Sequence, residues 1–97
     1  MLVLITYDVS TLNKAGQRRL SRIAKTCLDY GQRVQNSVFE CLVEPAQWTS
    51  LRAELLRLYS PEEDSLRFYF LGKNWENRVE HHGTKETLNL ESGTLII

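Results

Sequence analysis

The hydrophobic pattern begins with Leu2-Val3-Leu4-Ile5, a run without alternation that finishes on Tyr7 and Asp8. A near-continuous apolar run predicts a strand over residues 1–9 of the kind that is covered on both faces of its sheet. Ser10, Thr11 and Asn13 then offer N-cap side chains and Gly31 a C-terminal stop, so a helix is predicted over 14–30. Leu20, Ile23, Ala24, Cys27 and Leu28 recur at helical spacing and form its expected buried stripe. Lys14, Arg18, Arg22 and Lys25 fall within about 80° of arc on the other side.

After the glycine, Val34, Val38 and Leu42 alternate imperfectly with polar neighbours, while Phe39 and Cys41 fill the opposite parity. The stretch is too long for one ordinary strand, so two short strands meeting at a kink near Asn36-Ser37 are predicted. Glu44-Pro45 opens a second helix whose apolar stripe is Trp48, Leu51, Leu55, Leu58 and Tyr59, closed by Ser60-Pro61. Glu62-Glu63-Asp64 reads as a solvated acidic loop. Residues 65–72 alternate as a strand; beyond Lys73 the pattern weakens to a turn over 74–77, a short strand over 78–82 and strand-like pieces at 87–90 and 94–97.

This order predicts an α+β fold, a ferredoxin-like βαββαβ sandwich with an extra C-terminal strand, as a single domain over 1–97. Two helices cover only one face of such a sheet. A first strand apolar on both faces then asks for a second cover, and the simplest is another copy about a two-fold axis, a homodimer. Leu95-Ile96-Ile97 points the same way: the strand-containing tail, 74–97, is expected to be swapped onto the edge of the partner's sheet.

Ninety-seven residues with 42% hydrophobic content suit one modest core, and a net charge of zero supplies no global basic field, so a nucleic-acid site has to be local. No segment approaches the roughly 20 apolar residues of a membrane span, and no positively charged leader precedes the first strand. A cytoplasmic protein without membrane contact is expected, with Cys27 and Cys41 as reduced, packed thiols.

Candidate chemistry centres on Asp8. A carboxylate beside a buried strand needs a donor, a cation or an exit to water. One reading makes it a cap or turn residue; the other makes it a metal ligand, because magnesium accepts one or two protein carboxylates with water and phosphate oxygens. In a two-fold dimer, two facing Asp8 groups would repel unless a divalent cation lay between them. The basic helix face is either solvated surface or a phosphate-binding stripe; acidic residues at helical salt-bridge spacing are missing from it, which favours an anionic partner. His81 and His82, adjacent in a strand, face opposite sides and make a poor pair of ligands for one ion. Trp75, in a polar turn, is expected to pack.

ITYDVS at the N-terminus, Arg18-Arg19-Leu20 on the basic helix and YGQRVQNSVFECLV together resemble the small CRISPR-associated adaptation protein family, the second of the core spacer-acquisition proteins; VEHHG in the tail resembles some members. The resemblance runs from Met1 to about Lys73. It implies a ferredoxin-like two-fold dimer with swapped C-terminal strands that bridges CRISPR integrase subunits and holds DNA. It also implies a metal-dependent endonuclease acting on single-stranded RNA or duplex DNA, with Asp8 as catalytic ligand to Mg2+ or another divalent cation such as Mn2+. By the same resemblance, Arg18 and Arg33 match basic positions that touch phosphate, with Tyr7, Ser37 and Phe39 in support; Lys14, Arg19 and Arg22 of the basic helix join them as expected nucleic-acid contacts. The alternative is a non-catalytic DNA-binding scaffold of the adaptation complex. A small-molecule regulator is a third class, but the sequence offers no ligand loop for it.

Overall fold

The computed structural model describes residues 1–72 and 79–84. The elements run β1 (Leu2–Asp8), α1 (Lys14–Leu28), β2 (Gly31–Gln35), β3 (Val38–Leu42), α2 (Pro45–Leu58), β4 (Ser65–Leu71) and β5 (Val79–Gly83). Neighbouring strands are all antiparallel in a five-stranded sheet ordered β2-β3-β1-β4-β5, which puts β1 at the centre. This is the expected ferredoxin-like order, with β5 added beside β4. The expected strands at 87–90 and 94–97, the swapped tail and Trp75 lie outside the described residues.

Both helices pack on one sheet face. Val3, Ile5 and Tyr7 on β1, Phe39 and Cys41 on β3, and Leu66 and Phe68 on β4 form a closed core with Ile23, Ala24 and Cys27 of α1 and Leu51 and Leu55 of α2. The T-shaped packing of Trp48 against Phe68 and Phe70 seals its α2 side. Cys27 and Cys41 are free and buried, with the Cys41 thiol directed at the Cys27 carbonyl at 3.6 Å. The neighbouring Cys41 thiol and burial both push the Cys27 thiol up, so it packs as a small hydrophobe.

Among the described residues the opposite face carries no helix. Leu2, Leu4 and Thr6 are half-buried there, so the first strand alternates in burial even though its sequence does not. The expected second cover is therefore not supplied by the described residues of one chain. Row by row this face changes character: Leu2 stands between Leu42 and Leu71, Thr6 between Val38 and Arg67, and Asp8 beside Ser65. One end is apolar and the other polar.

Several local expectations change. Helix α1 stops at Leu28, not at residue 30, and Gly31 is the first residue of β2 instead of a left-handed stop; a Cβ there would meet the Glu40 carbonyl oxygen at 1.9 Å, so the glycine serves close strand approach. Leu28 is 48% exposed at the helix end, and buried Gly16 takes a place in the inner stripe because the preceding loop crosses over it. Asn13 is the cap, its Oδ1 accepting the Gly16 amide at 2.8 Å. In the β2–β3 hairpin the buried parity is Phe39 and Cys41, whereas Val34 and Leu42 are exposed. A register shift between Arg33 and Gln35 accounts for the imperfect alternation. Glu44 opens α2 as expected, its amide donating to Gln47 Oε1 at 2.8 Å. No helix among the described residues is long and apolar enough to cross a membrane.

Candidate functional site

The polar end of the sheet is where β1 finishes. Strand parity sends Tyr7 toward the helices and Asp8 to the open face, and the next residues leave the sheet for the α1 cap loop. Asp8 is exposed and pairs in register with Ser65. The Tyr7 amide donates to the Ser37 carbonyl at 2.9 Å, which draws the β2–β3 turn alongside. The result is a recess of about 390 Å³ lined by Thr6, Tyr7, Asp8, Ser37, Ser65 and Arg67. Its polar groups are one carboxylate, one guanidinium and the hydroxyls of Thr6, Ser37 and Ser65.

The β5 strand extends this wall. His81 stands opposite Arg67 in the register and its Nε2 hydrogen-bonds the Ser65 hydroxyl at 2.7 Å. Burial, followed by the nearby positive charges of Arg67 and His82, moves His81 below the ordinary histidine value, which keeps it neutral at physiological pH. His82 lies on the helix face, bonded to Glu80 at 2.6 Å, as expected for adjacent strand residues. Glu80 also accepts from Arg52 Nε at 2.8 Å; burial pushes its carboxyl up, but the Arg52 and His82 bonds outweigh that and hold it below the usual range.

Directly across the sheet lies a second carboxylate. Asp64 is 0% exposed, although its acidic run reads as solvated loop. It accepts the Tyr7 hydroxyl, Arg19 Nε at 2.8 Å and Nη2 at 3.0 Å, and the Ser60 amide at 2.9 Å. Burial opposes the charge, yet the bonds from Arg19, Tyr7 and Ser60 prevail and lower the Asp64 value. The Tyr7 phenol is raised by burial and by donating to Asp64, and Arg19 is raised by its bond to Asp64, so all three are fixed in their neutral-pH charge states.

This arrangement corrects the sequence reading. Arg19, expected on the phosphate-facing surface, is drawn inward because a buried carboxylate requires it. Tyr7 adjoins Asp8 in sequence but points away from it. Phe39 is 0% exposed and belongs to the core; Arg33 lies over its ring at 5.4 Å while Nε donates to the Asn36 carbonyl at 2.8 Å. Lys14, Arg18, Arg22 and Lys25 are exposed as expected, but α1 packs on the face opposite Asp8, so their basic stripe is separated from the recess by the sheet. Of the expected supports, Tyr7 and Ser37 both line the recess with Asp8, although Tyr7 sends its hydroxyl to Asp64. Ser65 and Arg67 are not among the candidates the sequence marks, and His81 enters there only as half of a poor ligand pair; the parity of Arg67 against Leu66 and Phe68 is the available signal.

Fold and recess together define a small ferredoxin-like protein with an acidic strand end opening on a hydroxyl- and guanidinium-lined hollow. The family profile of CRISPR associated protein Cas2 matches residues 1–79. An endoribonuclease Cas2 of Chlorobaculum tepidum is 67% identical over 97 residues, covering 100% of both chains. An endonuclease Cas2 of Halalkalibacterium halodurans is 57% identical over 91 residues, 94% of this chain and 95% of that one. Among solved structures, Streptococcus pyogenes Cas2 at pH 6.5 superposes with a TM-score of 0.73 and 52% identity, covering 92% of this chain and 100% of the other. The chain belongs to the CRISPR-associated Cas2 family.

Proposed function

We propose that the chain is a metal-dependent endonuclease of CRISPR spacer acquisition that cuts phosphodiester bonds in RNA or double-stranded DNA, and that it works as a two-fold dimer bridging integrase subunits. The observation that carries this reading is the placement of Asp8: an exposed carboxylate at the end of a central strand, in a recess rich in oxygen and guanidinium groups. Relatives named endoribonuclease or endonuclease support it. Asp8 is the residue to hold Mg2+ or Mn2+, and the Thr6, Ser37 and Ser65 hydroxyls suit the water and phosphate oxygens that complete a hard cation's shell. Among the described residues no group of His, Cys, Asp and Glu could enclose an ion alone, which fits a cation shared with substrate or with a second Asp8. What such a cation supplies when bound is stabilisation of charge developing on the phosphate. The sheet face that the described residues leave open, with Leu2, Leu42 and Leu71 in one row, supports pairing of two copies.

One observation favours the scaffold reading beside it: the α1 stripe lies across the sheet from Asp8, so duplex binding and cleavage are separable. The test compares wild type with Asp8→Asn on duplex DNA and single-stranded RNA, with magnesium or EDTA. Cleavage that needs magnesium and disappears in the variant, with binding retained, supports the nuclease. Equal binding with no cleavage by either leaves the scaffold. Sedimentation at micromolar concentration reads the dimer directly; a monomer would overturn that part.

A further inference from the structure

We infer that the recess beside Asp8 is a phosphodiester subsite in which Arg67 holds the non-bridging oxygens of the bond being cut and the Ser65–His81 hydrogen bond fixes the adjoining wall. The inference rests on the reading of Asp8 as the cleavage centre. Arg67 faces Thr6 across β1–β4, and Asp8 faces Ser65 two residues along, so Arg67 and Asp8 are diagonal neighbours on the same face. Diagonal positions lie about 7–8 Å apart, within reach of a guanidinium. A phosphate between them would meet a cation on one side and the metal-holding carboxylate on the other.

The rest of the wall suits that role. Arg67 is half-buried on a paired strand, so its side chain is less mobile and less screened than those of the exposed α1 cations. Guanidinium carries five donors in a planar fork, enough to hold a phosphate while keeping another contact. Ser65 is 4% exposed, with its hydroxyl engaged by His81, so the surface under the phosphate is fixed. His81 stands opposite Arg67 in the register and holds the Ser65 hydroxyl beside it. The α1 stripe would then track the nucleic acid backbone elsewhere, while Arg67 acts at the reacting phosphate.

The test measures the salt dependence of binding and the kinetics of cleavage for wild type, Arg67→Gln, Arg67→Lys and Asp8→Asn, each checked for folding by circular dichroism. Arg67→Gln is expected to make the slope of log K against log salt shallower by about 0.9 on duplex DNA or about 0.7 on single-stranded RNA, the loss of one phosphate contact. It is also expected to lower kcat/KM about 10- to 100-fold. Arg67→Lys keeps the charge and so the slope, but loses the fork and at least about tenfold in rate. A wild-type slope in folded Arg67→Gln overturns the assignment, because a residue that only supports the fold would not have carried a counterion-releasing contact. Should Arg67→Gln fail to fold, wild-type cleavage by Arg67→Lys overturns it instead. Asp8→Asn separates the two readings: if it still cuts, Asp8 is not the centre, while the slope change at Arg67 stands or falls by itself.

Discussion

Two carboxylates at the same end of the sheet have opposite surroundings. Asp8 is exposed on the open face; Asp64, reached through its neighbour Tyr7, is sealed under the helices with a donor for each oxygen. The register pairs Asp8 with Ser65, the residue after Asp64, so strand parity alone sends one acid outward and the other inward. A buried carboxylate with all its donors satisfied is available to nothing else. An exposed one in a polar recess keeps lone pairs within reach of a cation or substrate. Locally, the inner acid organises the outer: Tyr7 and Arg19 tie β1 and α1 to the loop before β4, which fixes the strand end from which Asp8 projects.

The largest effect that would test this contrast is on folding. Asp64→Ala leaves Arg19 and the Tyr7 hydroxyl without their acceptor, and breaking a buried pair costs about 3–5 kcal/mol. At about 4–8 °C per kcal/mol for a domain of this size, the melting temperature is expected to fall by tens of degrees. Urea denaturation measures the first figure and calorimetry the second; a loss under about 1 kcal/mol would mean that the network holds nothing together.

Acid should act on the same bonds, by less than the substitution does. Asp64 is held below the carboxylate value it has when unfolded, so the unfolded state takes up its proton first as pH falls. The stabilisation is therefore intact above about pH 4 and is lost as the pH drops through the folded-state value. Glu80, lowered by Arg52 and His82 against the cost of burial, contributes with the same sign. Stability of wild type and Asp64→Asn, measured from neutral pH to about pH 3, is expected to converge toward the acid end. Curves that stay parallel would assign the acid sensitivity to other groups.

Tyr7→Phe removes one donor while Asp64 keeps Arg19 and Ser60. The expected loss is about 1.5 kcal/mol, the lower end for a hydrogen bond to a charged group. The ring remains in the core, so the loss isolates the hydroxyl. Its readout is the urea midpoint at unchanged slope.

The sequence made the outer acid legible and hid the inner one for a common reason: a residue stands out only against its local pattern. Asp8 ends an apolar run, and that contrast marks it. Asp64 ends the run Glu62-Glu63-Asp64, where acidity looks like solvation, and its burial depends on a long-range partner in α1. Arg19 carried a usable signal, since it lies three residues after buried Gly16 and four before buried Ile23, on the inner border of the helix. Element order and the hairpin at Asn36-Ser37 follow from periodicity and turn residues. The recess does not, because which strand lies beside β1, and in which register, is set by pairing between segments more than fifty positions apart in the chain.

The smallest expected effect is the sharpest check on the comparison. Asp8→Asn preserves shape and removes charge at an exposed position, so stability is expected to change by no more than about 0.5 kcal/mol. A loss above about 2 kcal/mol would make Asp8 a structural acid like Asp64, and its place in the recess would need no chemistry. A gain that grows with protein concentration would locate the repelling charge on a second copy, because only dimer formation brings that dependence. Two facing Asp8 carboxylates would produce such a gain, and added magnesium would then stabilise wild type and leave the variant unmoved. The denaturation midpoint of Asp8→Asn, followed against protein concentration and magnesium, thus reads dimer geometry and metal preference without relying on catalysis.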